Sequence, residues 1–586
     1  MAHRSMMAVW RLVLALAVGS ALPARAESTP HPGCRPPAVL GDVSPGAGGA
    51  SPGSFLRIGG TVYFVADDGE HGAELWKSDG TEAGTVLVKD IQPGPEGSNP
   101  GLLTELNGEL LFIANDGTRG FEPWRSDGTP AGTVMVRELN AGREGGNPTD
   151  LVVMGGKAWL ATGDHLTGRE LWVTDGTFDG TRLVKDIHPG TGTSITARSM
   201  RAVGNTLYFA ADDGTHGFEL WKSDGTEAGT VLVKDIASAG ASAWPGRLTV
   251  VGDTLFFTAN DGTTDDDLWR SDGTEAGTVR VAELFGKPLH PAPEELTGVG
   301  GRLFFRLDDE VHGPELWVSD GTSGGTRLVR DIHAGVIGSN PHSLVALGDT
   351  LYFAADDGHG GVELWKSDGT EAGTVLVEDL RAGSLGASPG ELTAADSRLF
   401  FTADDGTGAT LWVSDGTEVG TRAVDAGMAG GEPLALTYTG GTLYYSANAE
   451  GRGREPHALS PAFFGDCTPP VLTCPADVEA VATGAGGAVV HYSPAQATDG
   501  ASEVTLGYGT PSGATFPPGE HPVRVTASDT AGNTASCTFT VRVGAAPGGG
   551  PEDSGCGCTS GFAADAPWLL LGALVPLRAR RRRSSR

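Results

Sequence analysis

Glu74-Leu75-Trp76-Lys77-Ser78-Asp79-Gly80-Thr81, followed at once by Glu82-Ala83-Gly84-Thr85-Val86-Leu87-Val88, is the stretch whose reading decides the fold. Its tryptophan returns as Trp124, Trp172, Trp221, Trp269, Trp317, Trp365 and Trp412, at steps of 47 to 49 residues. A period in this range marks a repeat architecture, in which each unit buries its apolar face on the next. Leu75 and Trp76 fall on opposite faces of one strand. With neighbours on both sides, each of the eight indoles is expected to wedge between adjacent units, worth roughly 2–3 kcal/mol apiece.

Working outward, the first unit reads as four strand-length apolar runs: 54–58, 61–66, 73–78 and 85–91. Gly59-Gly60, Asp67 to Gly72 and Asp79 to Gly84 join them, with Gly supplying positive φ and Asp capping the turns. A longer link, Gln92 to Gly101, leads to the next unit. Four strands in hairpin succession and then a long link is the pattern of a β-propeller blade. The rest of the composition agrees: 91 Gly and 36 Pro suit many short strands and tight turns. The fold class expected is all-β.

The ends of the array carry the topological clue. Ala38 to Gly46 matches a fourth strand with its outgoing link, whereas Glu432 to Ser460 holds three strands and no fourth. The N-terminal strand is expected to complete that last unit and close a ring, which removes exposed edges. Eight full units and one shared unit make nine four-stranded blades, with eight as the alternative. Cys34 and Cys467 flank the seam, and a disulfide between them would clasp it, contributing about 4–5 kcal/mol for so long a loop.

The octets ELWKSDGT (74–81, 219–226, 363–370), EPWRSDGT (122–129), ELWVTDGT (170–177), DLWRSDGT (267–274), ELWVSDGT (315–322) and TLWVSDGT (410–417) resemble the ELWxxDGT repeat family of secreted bacterial proteins. That resemblance implies an architecture and no activity, and the propeller is placed at 34–466. Residues 467–543, with Thr473-Cys474-Pro475, Phe516-Pro517-Pro518-Gly519 and Ala531-Gly532-Asn533-Thr534-Ala535-Ser536-Cys537, resemble the hyalin repeat (HYR) domain. The resemblance implies an immunoglobulin-like β-sandwich associated with adhesion, and a Cys474–Cys537 disulfide. Tyr508 and Thr526 stand near where that family's second cysteine pair would be expected.

Both termini read as addresses. Arg4 and Arg11, the apolar run Leu12 to Leu22, and Ala24-Arg25-Ala26 compose a secretory signal over 1–26, too short in its apolar part to span a bilayer. At the other end a Gly/Pro linker, 544–555, precedes Gly555-Cys556-Gly557-Cys558, an apolar stretch from Ala566 to Leu577, and an Arg cluster ending at Arg586. This resembles the MYXO-CTERM sorting tail over 556–586. The resemblance implies a processing protease and attachment through Cys556 or Cys558, so that membrane contact comes only through the tail. A tail retained as a simple anchor is the alternative.

With 73 acidic against 41 basic residues the formal charge is −32, which repels phosphate backbones and argues against nucleic acid as a partner. No nucleophile–base set or metal motif stands out. His71, His216 and His312 recur beside Asp68, Asp213 and Asp309 and so read as scaffold. The sharper candidates break the repeat: Trp159, Trp244, Asp265 to Asp267 and Lys287 to Glu295. No cofactor is expected. Calcium is the one metal the turns suggest, through Asp67, Asp68, Asp212, Asp213, Asp356, Asp357, Asp404 and Asp405, although calcium takes six to eight oxygens. The expected role is an exported, non-enzymatic protein of the cell surface or outer membrane, binding an extracellular glycan or matrix protein through the face that bears these turns and the links. A secreted propeller enzyme acting on an extracellular polymer and a purely structural envelope component are the alternatives. N-terminal sequencing of the exported protein should begin at Glu27; an intact Met1 would refute the signal.

Overall fold

The computed structural model describes residues 27–29, 38–46, 48–263, 266–282, 291–424, 431–449, 451–459, 469–499, 504–530 and 532–546. The signal, Cys34, Cys467 and the tail with Cys556 and Cys558 lie outside the described residues. Every regular element among them is a strand, and nine four-stranded antiparallel sheets account for residues 38 to 459. We number these sheets 1 to 9 in order of their first strand, from Gly53–Ile58 of sheet 1 to Leu434–Thr439 of sheet 9.

Sheet 1 shows how the sequence builds the unit. Gly53–Ile58, Thr61–Asp67, Ala73–Ser78 and Val86–Lys89 pair in chain order. Phe64 lies opposite Trp76, and Val65 opposite Leu75. The register against the fourth strand shifts between Leu75 and Trp76, a bulge that increases local twist. The fourth strand is shorter than the apolar run suggested, because Thr85 belongs to the turn: its Oγ1 donates to Thr81 O at 2.8 Å. In the same turn Asp79 Oδ1 accepts Thr81 N at 2.9 Å and Thr81 Oγ1 at 2.7 Å. A Cβ at Gly84 would sit 2.0 Å from Asp79 Oδ1, which explains the glycine in the repeated Asp-Gly-Thr-x-x-Gly-Thr.

The first strands touch their neighbours in a closed cycle. Gly53–Ile58 meets Gly101–Leu106 on one side and Leu434–Thr439 on the other. Sheet 9 draws on both ends of the array: Ala38–Val39 pairs with the third strand, Ala38 opposite Ala458 and Val39 opposite His457. Leu40 N donates to Pro456 O at 2.8 Å, and Ala50 N to Arg454 O at 2.7 Å.

The core lies between sheets rather than inside one. Trp124 of sheet 2 packs with Phe112 of its own sheet and with Tyr63, Leu75 and Val88 of sheet 1. Trp269 and Trp412 repeat the arrangement against sheets 4 and 7, and Trp76 does so across the seam with Leu40 and Tyr444. Trp317 is only partly buried. Basic side chains cross the same interfaces: Lys89 Nζ lies 5.7 Å from the Trp124 ring centroid and donates to Thr133 O at 2.8 Å. Cation–π contacts of this kind add about 0.5–1 kcal/mol when exposed.

Residues 469–546 form a separate cluster around Val525, Phe539 and Val541. Val504–Tyr508, Gly519–Asp529 and Thr534–Gly544 pair antiparallel, and Val478–Val481 joins the last of them in parallel. Cys474 and Cys537 are disulfide-bonded. Glu27–Thr29 adds to the same strand, with Glu27 opposite Ser536.

Leu40 is 1% exposed and sits at the seam. Leu40→Ala should lower unfolding free energy by about 2–5 kcal/mol, the range for a truncated core leucine. A loss below about 0.5 kcal/mol in denaturant titration, the level of a surface change, would show that the N-terminal strand does not hold the ring.

Candidate functional site

The links and the turns between second and third strands occupy one face of the ring. Asn99 N donates to Ala73 O of sheet 1 at 2.9 Å, and Asn115 N of sheet 2 donates to Ser98 O at 3.0 Å. Each link is thereby stitched to the sheet it leaves and the sheet it enters. The Asp-Gly-Thr turns lie at the other end of the strands. Their role is joinery: Lys77 Nζ, for instance, donates to Gly128 O of the next unit at 2.8 Å.

What holds most links down is a glutamate two residues before the tryptophan; sheet 8 has Thr410 at this position instead. Glu122 Oε2 accepts Leu139 N at 3.0 Å, while its Oε1 accepts Asn140 N at 3.1 Å and Gly146 N at 3.0 Å. Glu74 does the same for Gln92 N and Ser98 N, at 3.0 and 2.9 Å. At the seam, Glu455 Oε2 accepts Val43 N at 2.8 Å. These glutamates are fully buried. Burial pushes Glu122, Glu170, Glu219, Glu363 and Glu455 up to about 7, against the downward pull of the N–H donors. Sheet 5 substitutes Asp267, which is 3.1 Å from Arg280 Nη1. Sequence reasoning passed over these carboxylates. The available signal was an acidic residue recurring two positions before the tryptophan, inside a strand and beside its apolar pair.

The turns proposed for calcium use their carboxylates on themselves. Asp67 Oδ1 accepts Gly69 N at 2.8 Å, and Asp68 Oδ1 accepts Glu70 N and His71 N at 2.9 and 2.8 Å. Asp212 and Asp213 repeat this with Gly214 and His216, Asp356 and Asp357 with Gly358 and Gly360, and Asp404 and Asp405 with Gly406 and Thr407. Among the described residues no three His, Cys, Asp or Glu side chains converge as a metal site. The histidines pair locally: His71, His216 and His312 Nδ1 lie 2.7, 2.8 and 2.7 Å from Asp68, Asp213 and Asp309. That hydrogen bond raises the pKa of each imidazole.

The repeat-breaking residues separate. Trp159 is 3% exposed and packs with Leu171 and Phe209, so it belongs to the core and not to a site. Asp265 and Lys287 to His290 lie outside the described residues. Glu294 is occupied by Arg306 and Arg247. Trp244, on the link from sheet 4 to sheet 5, is 55% exposed. Several other large apolar side chains stand out on the same face, among them Leu166, Val311, Val336, Ile337 and Leu385. They sit at turn and link tips, where the scaffold imposes no identity.

Residues 465–543 match the family model of the HYR domain. No curated protein sequence matches the chain. Among solved structures the chain is similar to puromycin hydrolase at 16% identity, over 64% of this chain and 61% of that one, with a TM-score of 0.32. It is also similar to prolyl oligopeptidase B from Galerina marginata at 11% identity, over 67% and 58% of the two chains, with a TM-score of 0.36. The extracellular domain of the putative hybrid two component system BT4673 from B. thetaiotaomicron aligns at 11% identity, over 83% and 74%, with a TM-score of 0.31. At such scores these likenesses carry no argument about activity.

The buried glutamates fix a pH dependence. Their folded pKa of about 7 exceeds that of an unfolded glutamate, about 4.3. Between these values the folded state therefore holds more protons, and stability falls as pH rises. The raised histidines act in the same direction at the upper end. Thermal midpoints should decline from pH 5 to pH 8. A midpoint that climbs over this interval would mean that the N–H cradles favour the ionised carboxylate outright.

Proposed function

We propose that the nine sheets are the blades of a β-propeller, that residues 467–543 are an immunoglobulin-like sandwich, and that together they act in recognition or adhesion at the cell surface. In this reading the protein is exported by residues 1–26 and displayed through 556–586. It binds an extracellular glycan or matrix protein through the turn-and-link face and is not an enzyme. The ELWxxDGT octets and the MYXO-CTERM-like tail support export and display. The observation that carries the reading is the HYR match over 465–543, in the same chain as a ring that presents variable exposed side chains, Trp244 among them, on its link face.

The division between faces supports the binding surface. On the Asp-Gly-Thr side the Asp and Thr side chains are engaged in bonds that shape the turn, which leaves those positions little freedom to vary. On the opposite side the link backbone is anchored by a buried carboxylate, so side chains at the link tip can change without loss of the fold. Rigid scaffold with variable tips is the arrangement in which loops carry binding.

The test is surface proteolysis on intact cells combined with binding of the purified chain to cells and extracellular matrix. Accessible chain and saturable binding are expected. Protection of the chain until lysis would refute surface display, and an absence of saturable binding would refute recognition.

A further inference from the structure

We infer that Trp244 is the platform of a binding site for a neutral saccharide, with Phe218 as its backing and the turn around His216 as its polar wall. The inference rests on the surface-recognition reading and names its ligand class.

The residue before the link proline is held in the left-handed region in most links, Ala292 before Pro293 being the exception. Ser51, Asn99, Asn147, Asn340, Ser388 and Glu432 have φ of 47°, 48°, 45°, 49°, 49° and 43°, and Trp244 has 50°. The backbone bond is the same as well: Asn99 N donates to Ala73 O, Asn340 N to Pro314 O, and Trp244 N to Phe218 O at 3.1 Å. Asparagine tolerates this conformation, whereas a bulky side chain does not favour it. Trp244 is therefore a poor choice for the backbone. Strain of this kind, held by its surroundings, points to function when it coincides with a site.

The indole does not recover that cost by burial, since it is 55% exposed. It lies against Phe218 with centroids 4.5 Å apart and planes inclined by 24°, so one face is backed and the other is open to water. Phe218 opens the third strand of sheet 4. Its counterparts are Ala73, Pro314, Val362 and Ala409 in other sheets. Sheet 2 has Phe121 there, but its link carries Asn147. The aromatic pair therefore occurs in this link alone of those compared.

The surroundings choose the ligand. No other large apolar side chain is exposed on the turn 213–217 or the link 235–245, so the ring of water-excluding contacts around a protein hot spot is missing. His216 precedes Phe218 by two residues. Its Nδ1 is held 2.8 Å from Asp213 Oδ2, which leaves Nε2 for a hydroxyl. Acidic turns and a formal charge of −32 disfavour a polyanion. A pyranose presents a flat face of weakly positive C–H groups, which suits the negative face of an aromatic ring, and a rim of hydroxyls for the polar turn.

The full chain is applied to immobilised β-glucan, mannan and chitin, with Trp244→Asn as the main variant and Phe178→Ala, an exposed aromatic on the opposite face, as the control. Retention on at least one polymer is expected. Trp244→Asn should bind at least tenfold more weakly while melting no lower than the parent, because it restores the residue the sister links carry; Phe178→Ala should match the parent. Retention on none of the three, or equal retention of Trp244→Asn, overturns the site. Binding to intact cells is measured in parallel with the same proteins. Loss of cell binding in Trp244→Asn without saccharide retention would assign the indole to a protein contact and overturn the proposal. Cell binding unaffected by the substitution would overturn the Trp244 site and leave surface recognition standing.

Discussion

A carboxylate buried between two strands and accepting backbone N–H groups from the link above it is the interaction on which this ring depends. A link has no ladder of its own, yet its amides are drawn under the surface where an unpaired donor costs about 1–3 kcal/mol. Glu122 meets three of them. The same bond closes the ring: Glu455 receives Val43 N across a separation of 412 residues, as its sisters receive amides only 17 to 24 residues away. The seam is thus built with the part used in most of the other sheets, which allows a split sheet to stand among continuous ones.

The seam also shows what changes when a unit is assembled from two ends. The tryptophan position is taken by His457, buried and stacked on Tyr445 with centroids 5.2 Å apart. Burial lowers the pKa of the imidazole. Here the fourth strand is only Ala38–Val39, and Leu40 and Val43 complete the packing against Trp76 of sheet 1. Interlocking strands from both termini converts a linear array into one whose first and last units stabilise each other.

Much of the scaffold was legible because it repeats. The indole period, the glycine-punctuated turns and the missing strand at Glu432 to Ser460 predict four-stranded sheets and a shared last one, because strand alternation and turn chemistry act over a few residues. The glutamate clamp was not legible in that way. Its partners, Leu139 and Gly146 for Glu122, lie in a link without periodicity, and a buried acid reads as a surface acid until the fold covers it. Trp159 was misread for the complementary reason: it breaks the repeat in sequence but fills the same inter-sheet space as its neighbours. The candidate site was legible only as a list of exceptions. Phe218 drew no notice, since one aromatic at a strand start acquires meaning only when a second is folded onto it.

The clamp explains why such exceptions can be tolerated where they occur. A left-handed residue at the link tip would ordinarily unsettle an irregular segment. Here the backbone on both sides is fixed: Ala243 N donates to Phe218 O at 2.9 Å, Asn260 N donates to Ala243 O at 2.9 Å, and Glu219 accepts Ile236 N and Ala237 N at 2.9 and 3.0 Å. With its neighbours held, the link can carry a side chain that its own conformation disfavours, and the strain stays local. Variation on this face is therefore decoupled from folding, whereas on the Asp-Gly-Thr face a Cβ at Gly84 or Gly132 would strike the aspartate that shapes the turn. The ring is most uniform where it is assembled and freer to differ at the tips that meet solvent.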